Sequence, residues 1–274
     1  MILAPLRGVT TRCFRDVFAN EIAEAGFTEA VTPFIPATPG FDPLKDRELA
    51  PGTRHLLTTP QFIGKDTEAL RAALERVKEA GYATADLNCG CPFPMVRNKG
   101  RGSGLLRTPD VLRRMLEVGC EVMGPGAFSV KARLGIDRND ELLALMPLLN
   151  CFPLRRLVVH ARNARQMYEG APDKAAFDAV ARVATMPVVY NGDATLSDEG
   201  AMVGRAFVRH LGERSDATEL LDKYVAASLE ELGSERPVIG RIKELIAYWR
   251  EIPRWRRLWP VIKISRTLSE LKSW

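Results

Sequence analysis

Eight short β-rich runs, most of them starting about thirty residues apart, constrain the fold of this chain more than any other feature. They are Ile2–Leu6, Glu29–Phe34, Thr59–Gly64, Thr84–Asn88, Phe128–Arg133, Leu157–His160, Pro187–Tyr190 and Ala201–Val203. Helical patterns follow several of them, as at Thr67–Ala80, where Leu70, Leu74 and Val77 share a face, and at Pro109–Val118. A strand, a return helix and two loops use roughly thirty residues, and eight such units close into a (β/α)8 TIM barrel. The 274 residues suffice for one barrel and a small appendage. With 46% hydrophobic and 27% charged residues, the balance is that of a folded protein and not a disordered one. No apolar run approaches the ~18 residues of a membrane span, so no membrane partner is expected. The opening MILAPLRGVTTR is too short in apolar residues for a signal peptide. Five cysteines, an odd number, fit a reduced, cytoplasmic setting.

In this architecture the chemistry sits at the carboxyl ends of the strands. Those ends carry Pro5, Gln61, Asn88, Lys131, His160, Asn191 and Arg205, a set that points to a ring around one ligand. The last interval is too short for the rhythm. Ten residues separate Tyr190 from Ala201, and Asn191-Gly192-Asp193 must still serve as a loop. What remains makes about one helical turn, so either the seventh helix is curtailed or the eighth strand lies elsewhere.

The densest motif is DLNCGCPFPMVRNKGRGSGLL, Asp86–Leu106. No Cys/His set in the chain has zinc-ligand spacing, so the Cys89/Cys91 pair is not read as a metal site. Cys91, on a loop beside Asn88, reads as a nucleophile or proton donor, whereas Cys89 fits a small buried hydrophobe. The glycines of KGRGSG allow close backbone approach to a ligand, and Lys99 and Arg101 favour an anionic one.

Charge is unevenly spread. The net charge of +5 divides into −1 over residues 1–232 and +6 over Gly233–Trp274, where Trp249, Trp255, Trp259 and Trp274 also lie. Cations interleaved with aromatics suit a polyanion, the rings stacking on bases or else packing the helices beneath. In RIKELIAYW, Ile242, Leu245, Ile246 and Trp249 share one helical face, with Arg241 and Lys243 off it.

Seven motifs in order give the chain a family resemblance. They are LAPLRGVT (3–10), PQFIGKD (60–66), DLNCGCP (86–92), SVKARLG (129–135), VVHARNARQMYEG (158–170), PVVYNGD (187–193) and MVGRAF (202–207). Together they resemble the tRNA-dihydrouridine synthases over Ile2 to about Ala206, and more weakly through the basic tail. The resemblance implies an FMN-binding catalytic barrel over residues 1–212 and a basic, Trp-rich, helical tRNA-binding domain over 213–274. On the matching positions, Ala4, Pro5 and Leu6 would line the flavin, Gln61 and Lys131 would contact its polar edge, and His160 would lie near it. Asn191, Gly192, Asp193, Gly204 and Arg205 would hold the ribityl chain and phosphate.

The implied reaction passes hydride from reduced FMN to uracil C6, with Cys91 protonating C5 from the opposite face. Asn88 would orient the uracil; Arg162, Gln166 and Tyr168 would meet the flipped uridine or its phosphates. Lys99, Arg101, Arg241 and Lys243 would contact tRNA. NADPH, or NADH, is implied as reductant, and a monomer is expected. The chain departs from the family pattern in a shorter stretch between NGD and MVGR, and in Ala206 where relatives tend to carry glycine. Two other readings stand beside this one: an FMN barrel acting on free pyrimidines, similar to dihydroorotate dehydrogenases, and a tRNA-binding remnant that has lost FMN.

Overall fold

Strands form at all eight expected places. The computed structural model describes residues 1–49 and 56–272, so Trp274 lies outside the described residues. Its strands are β1 (Ile2–Leu3), β2 (Glu29–Val31), β3 (Ile35–Pro36), β4 (Leu57–Thr59), β5 (Gln61–Ile63), β6 (Ala85–Cys89), β7 (Phe128–Gly135), β8 (Arg156–Asn163), β9 (Val188–Asn191) and β10 (Met202–Val203). They pair in parallel in two runs, β10-β1-β2-β4 and β3-β5-β6-β7-β8-β9. Pro60 has no N–H for the ladder and splits one stave into β4 and β5. Thr32 Oγ1 bridges that break by accepting the Gln61 N–H at 3.0 Å. Thr32–Phe34 divide β2 from β3 in the same way, so the ten strands make eight staves.

Twelve helices surround them: α1 (Arg12–Val17), α2 (Ala19–Glu24), α3 (Thr67–Glu79), α4 (Pro94–Arg97), α5 (Pro109–Met123), α6 (Glu141–Leu149), α7 (Lys174–Val183), α8 (Arg205–Glu213), α9 (Ala217–Leu232), α10 (Glu235–Ala247), α11 (Pro253–Ile264) and α12 (Leu268–Leu271), counted among the described residues. Local chemistry sets their limits. Asp66 caps α3 by accepting the Ala69 N–H at 2.9 Å. Pro109 opens α5, which outruns its expected end at Val118 because Val122 and Met123 continue the buried face. Strand alternation sends Leu87, Val130 and Val159 outward into the core beneath the helices. A small apolar layer of Ile2, Ala4, Val31, Val158 and Met202 joins strands from both runs.

The irregular interval resolves as a curtailed seventh helix. β10 stands at its expected place, and residues 192–201 form turns without a helix. Thr195 pins this link by donating its N–H to Asp198 Oδ2 at 2.7 Å. No backbone ladder joins β9 to β10 among the described residues. Asn191 Nδ2 instead donates to the Met202 carbonyl at 2.8 Å, one side chain spanning the seam.

The tail helices share one apolar cluster with α1, α2 and α8, through Phe14, Ile22, Phe207 and Leu211. Trp249 and Trp255 are fully buried in it, with ring centroids 4.8 Å apart. Their indole N–H groups donate to the carbonyls of Val208 at 2.6 Å and Gly212 at 2.8 Å. These two tryptophans therefore pack helices and offer no face to a base. Trp249→Phe leaves the Val208 carbonyl without this donor and opens a small void. It should cost about 1–2 kcal/mol, read as a melting temperature lowered by about 3–6 °C in a thermal scan.

Candidate active site

A cavity of about 910 Å³ opens at the carboxyl ends of the strands, toward the upper end of the ~300–1,000 Å³ usual for ligand sites. Successive staves line it. Ala4, Pro5 and Leu6 follow β1; Gln61 starts β5; Asn88 lies near the end of β6 and Cys91 follows it; Lys131 and His160 come from β7 and β8. Asn191, Gly192 and Asp193 after β9, and Gly204 and Arg205 after β10, complete the ring. The short link thus leaves Asn191 and Arg205 on one cavity, and Lys131 Nζ donates to Asn191 Oδ1 at 3.0 Å.

Cys91 is held from two sides. Asn88 Oδ1 accepts the N–H groups of Gly90 at 3.0 Å and Cys91 at 2.9 Å, while Asn88 Nδ2 donates to Gln61 Oε1 at 2.7 Å. Behind it, the Ser103 N–H and Oγ both donate to the Cys91 carbonyl, at 3.1 and 2.9 Å. Gly102 adopts φ +58°, and a Cβ there would stand 2.8 Å from the Cys91 Cβ. Here the glycine-rich loop makes a close approach to Cys91 itself. Lys99 is exposed, Arg101 half-buried, and neither lines the cavity. Burial pushes the Cys91 thiol above its ordinary value, with the Phe93 N–H and the cations Arg7, Arg133 and Lys131 pulling the other way. The thiol is therefore protonated at neutral pH. Cys89 is fully buried in the core, as a small hydrophobe.

The cavity is electropositive. Arg7, Lys131, Arg133, Arg162, Arg205 and Arg209 line it, against the two acids Asp193 and Glu244. Burial, reinforced by Arg133, pushes Lys131 down to about 8. Burial and the cations Arg133, Lys131, Arg162 and Arg205 hold His160 far below its ordinary value, so its ring is neutral. Arg162, 1% exposed, donates to the Gly170 carbonyl at 2.6 Å and ion-pairs with Asp193, which also pairs with Arg205. The Tyr168 ring lies between Arg133, at 5.3 Å, and Arg205, at 5.2 Å. Gln166 does not line the cavity; its Oε1 accepts the Asn163 N–H at 2.9 Å and shapes the turn leading to Tyr168.

α8 begins at Gly204 with no capping side chain. Its first-turn N–H groups, beside the Arg205 guanidinium, therefore make a donor set suited to a phosphate. Gln61, Lys131 and Asn191 line the same cavity from other staves, and with this helix start the residues present fit a flavin mononucleotide.

Other residues of the site escape a reading of the sequence. Arg133 donates to the Gly90 carbonyl at 3.0 Å and the Asn163 carbonyl at 2.8 Å, tying β7 to the loop after β6 and to the end of β8. Its place two residues beyond Lys131 on one strand face was a usable signal. Glu244 on α10 and Tyr248 just after it reach the cavity, and no local spacing announces them. Arg241 and Lys243, on the same helix, do not line it. Arg241 pairs with Glu231 at 2.6 Å and donates to Ser228 Oγ at 3.2 Å, and Lys243 donates to the Ser265 carbonyl at 2.5 Å.

Comparison with known proteins places this geometry in a family. The family model described as Dihydrouridine synthase (Dus) matches residues 2–205. The chain is 32% identical over 222 residues to a probable tRNA-dihydrouridine synthase of Rhodobacter capsulatus, covering 75% of this chain and 66% of that protein. An alignment of 289 residues with the tRNA-dihydrouridine(16) synthase of Salmonella typhimurium is 26% identical and covers 92% and 90%. The chain spans about two thirds of the length of several curated relatives it matches. Among solved structures, the old yellow enzyme homologue of Zymomonas mobilis aligns with a TM-score of 0.53 at 11% identity, over 76% of this chain and 85% of that one. That likeness speaks to the barrel fold alone. No helix among the described residues is long and apolar enough to cross a membrane. By motif order, by the matched span and by the ring of residues at the barrel mouth, the chain belongs to the dihydrouridine synthase family.

Proposed function

We propose that this chain is a flavin-dependent reductase converting a uridine of tRNA to 5,6-dihydrouridine. The observation that carries the reading is a protonated thiol, Cys91, sharing one cavity with the donors of Gln61, Lys131, Asn191 and Arg205. When bound there, reduced FMN supplies the hydride for uracil C6. Gln61 and Lys131 would hold its polar edge, Ala4, Pro5 and Leu6 would pack against its ring, and His160 would lie neutral beside it. Asn191, Gly192, Gly204 and Arg205 would hold the ribityl chain and phosphate, with Asp193 orienting Arg205.

Cys91 Sγ gives its proton to C5 of the uracil. The thiolate left behind is held by the Phe93 N–H and by Arg7, Arg133 and Lys131 until water returns the proton. Asn88 serves the substrate by fixing the Cys91 backbone, since both ends of its amide are engaged. Arg162 and Tyr168 meet the flipped uridine, and Gln166 sets the turn that presents Tyr168. NADPH or NADH would supply the reducing equivalents. The protein acts as a cytoplasmic monomer.

The test is the visible spectrum of the purified protein with and without added FMN, followed by assay of dihydrouridine in tRNA. Flavin bands that bleach under NADPH, and dihydrouridine formed in tRNA but not from free uracil, support the reading. A colourless protein that leaves FMN fluorescence unquenched overturns it in favour of an RNA-binding remnant. Reduction of free pyrimidines alone favours a metabolic enzyme.

The tail segment 213–274, with Lys99 and Arg101 on the barrel, supplies tRNA contacts. Replacing Arg241 and Lys243 together by alanine should weaken tRNA binding and lower its salt slope by about 2, one unit per lost phosphate contact, with FMN still bound. A lower melting temperature with an unchanged salt slope would assign the pair to packing of the tail.

A further inference from the structure

Asp86 belongs to the densest motif of the sequence and takes no part in the mechanism above. It is fully buried and ends a chain of hydrogen bonds that runs to Cys91. Asp86 Oδ2 accepts from Gln61 Nε2 at 2.7 Å, and Gln61 Oε1 accepts from Asn88 Nδ2 at 2.7 Å. Asn88 Oδ1 accepts the N–H groups of Gly90 and Cys91. Each amide in this chain has two ends of nearly equal shape and opposite polarity, so packing alone does not choose between its two orientations. The termini of the chain do choose. A carboxylate at one end can only accept, and two backbone N–H groups at the other can only donate.

We propose that Asp86 is a positioning residue that, through Gln61 and Asn88, fixes the polarity of this chain and so holds the Cys91 loop in its working pose. The inference rests on the reading of Cys91 as the acid but is tested without turnover. Reversing either amide would set donor against donor at one joint and acceptor against acceptor at another, in a buried place where water cannot repair them. Burial pushes Asp86 up to about 6, while the Gln61 bond and the charges of Arg156 and Lys131 hold it down, so at neutral pH it remains ionised and an acceptor. Its other oxygen, Oδ1, is buried without a partner, so the bond to Gln61 is its one side-chain hydrogen bond among the described residues.

The test swaps the polarity of the first joint. In Gln61→Glu, two carboxylates face each other, and relieving them displaces residue 61 from Asn88. In Asp86→Asn/Gln61→Glu, the new amide donates to the new carboxylate, which still accepts from Asn88, so the bonds to Cys91 return. Asp86→Asn alone can keep a carbonyl toward Gln61. The readout is the rate at which iodoacetamide labels Cys91, 7% exposed in the wild type, followed by mass spectrometry at that residue alongside the melting temperature. Q61E should label about tenfold faster, the population change expected when a buried hydrogen bond is lost. D86N should stay within about twofold of the wild type, and the double variant should return to the wild-type rate. A double variant that labels as fast as Q61E and melts no higher, or a Q61E that behaves like the wild type, overturns the proposal. Failure to form dihydrouridine with the labelling pattern intact would count against the enzymatic reading and leave the positioning chain standing.

Discussion

Cys91→Ala should bind FMN and tRNA as the wild type does and reduce uridine about 10²–10⁴-fold more slowly, the usual contribution of one positioned acid. The expectation follows from two facts of the site. The thiol is protonated at neutral pH, and Asn88 and Ser103 fix the backbone that carries it. Hydride delivered to C6 leaves charge at C5, and water cannot readily replace a donor held in a largely buried position. Mixing pre-reduced enzyme with tRNA under anaerobic conditions isolates the step, because flavin reoxidation then reports one turnover. A rate within threefold of the wild type would remove Cys91 from the role of acid. The pH profile separates two groups. Cys91 acts as the acid only while protonated, and Lys131 offers its charge only below about 8. Activity should therefore fall first through pH 8, as Lys131 loses its proton, and again where the raised thiol ionises. Lys131→Met should erase the first fall and leave the second.

Glu29→Ala should destabilise the fold by about 3–5 kcal/mol, the range for breaking a buried ion pair from one side. Glu29, 5% exposed, pairs with Arg155 at 2.8 Å and with Arg156, and accepts from Thr59 Oγ1 at 2.7 Å. Truncation strands the buried Arg156 guanidinium. The same cluster sets an acid limit. Burial alone would raise the carboxyl, but the hydrogen bonds from Arg156, Arg155 and Thr59 prevail and hold it at about 2 against an ordinary 4.5. A depressed carboxylate contributes stability that is present in full above its unfolded value and is lost as pH falls through 4.5 toward 2. That difference is worth about 3 kcal/mol. Thermal scans between pH 6 and 2.5 should show the wild type losing this increment, and Glu29→Gln should be flatter across the same window. Equal slopes would place the acid sensitivity elsewhere.

The barrel was legible because its signals are local. Apolar runs recur at the interval a strand and helix require, and several carry a polar residue that the fold turns toward one mouth, as Asn88, Lys131 and His160 show. The tail was legible only in part. The stripe of Ile242, Leu245, Ile246 and Trp249 is a local pattern and is buried as the period requires. The same pattern left Arg241 looking free, because its partner Glu231 lies on the preceding helix and only the turn between them brings the two together. Glu244 reaches the cavity by the same non-local route. The KGRGSG glycines were read for a property that any close approach demands, and sequence could not say whether the approaching atom belongs to a ligand or to Cys91.

The missing seventh helix has a mechanical consequence. β9 is tied to β8 by four residue pairs, from Leu157↔Val188 to His160↔Asn191, but to β10 by one side-chain bond, and all four of its residues are partly exposed. The closed cylinder therefore has one weak rivet, and its amide protons there should exchange with deuterium sooner than those of β6 or β7. A ligand gripped at once by Asn191 on one lip and by Gly204 and Arg205 on the other would clamp the lips together. Cofactor and closure would then be coupled, each tightening the other, and slowed exchange at this joint would register occupancy even where colour is too faint to see.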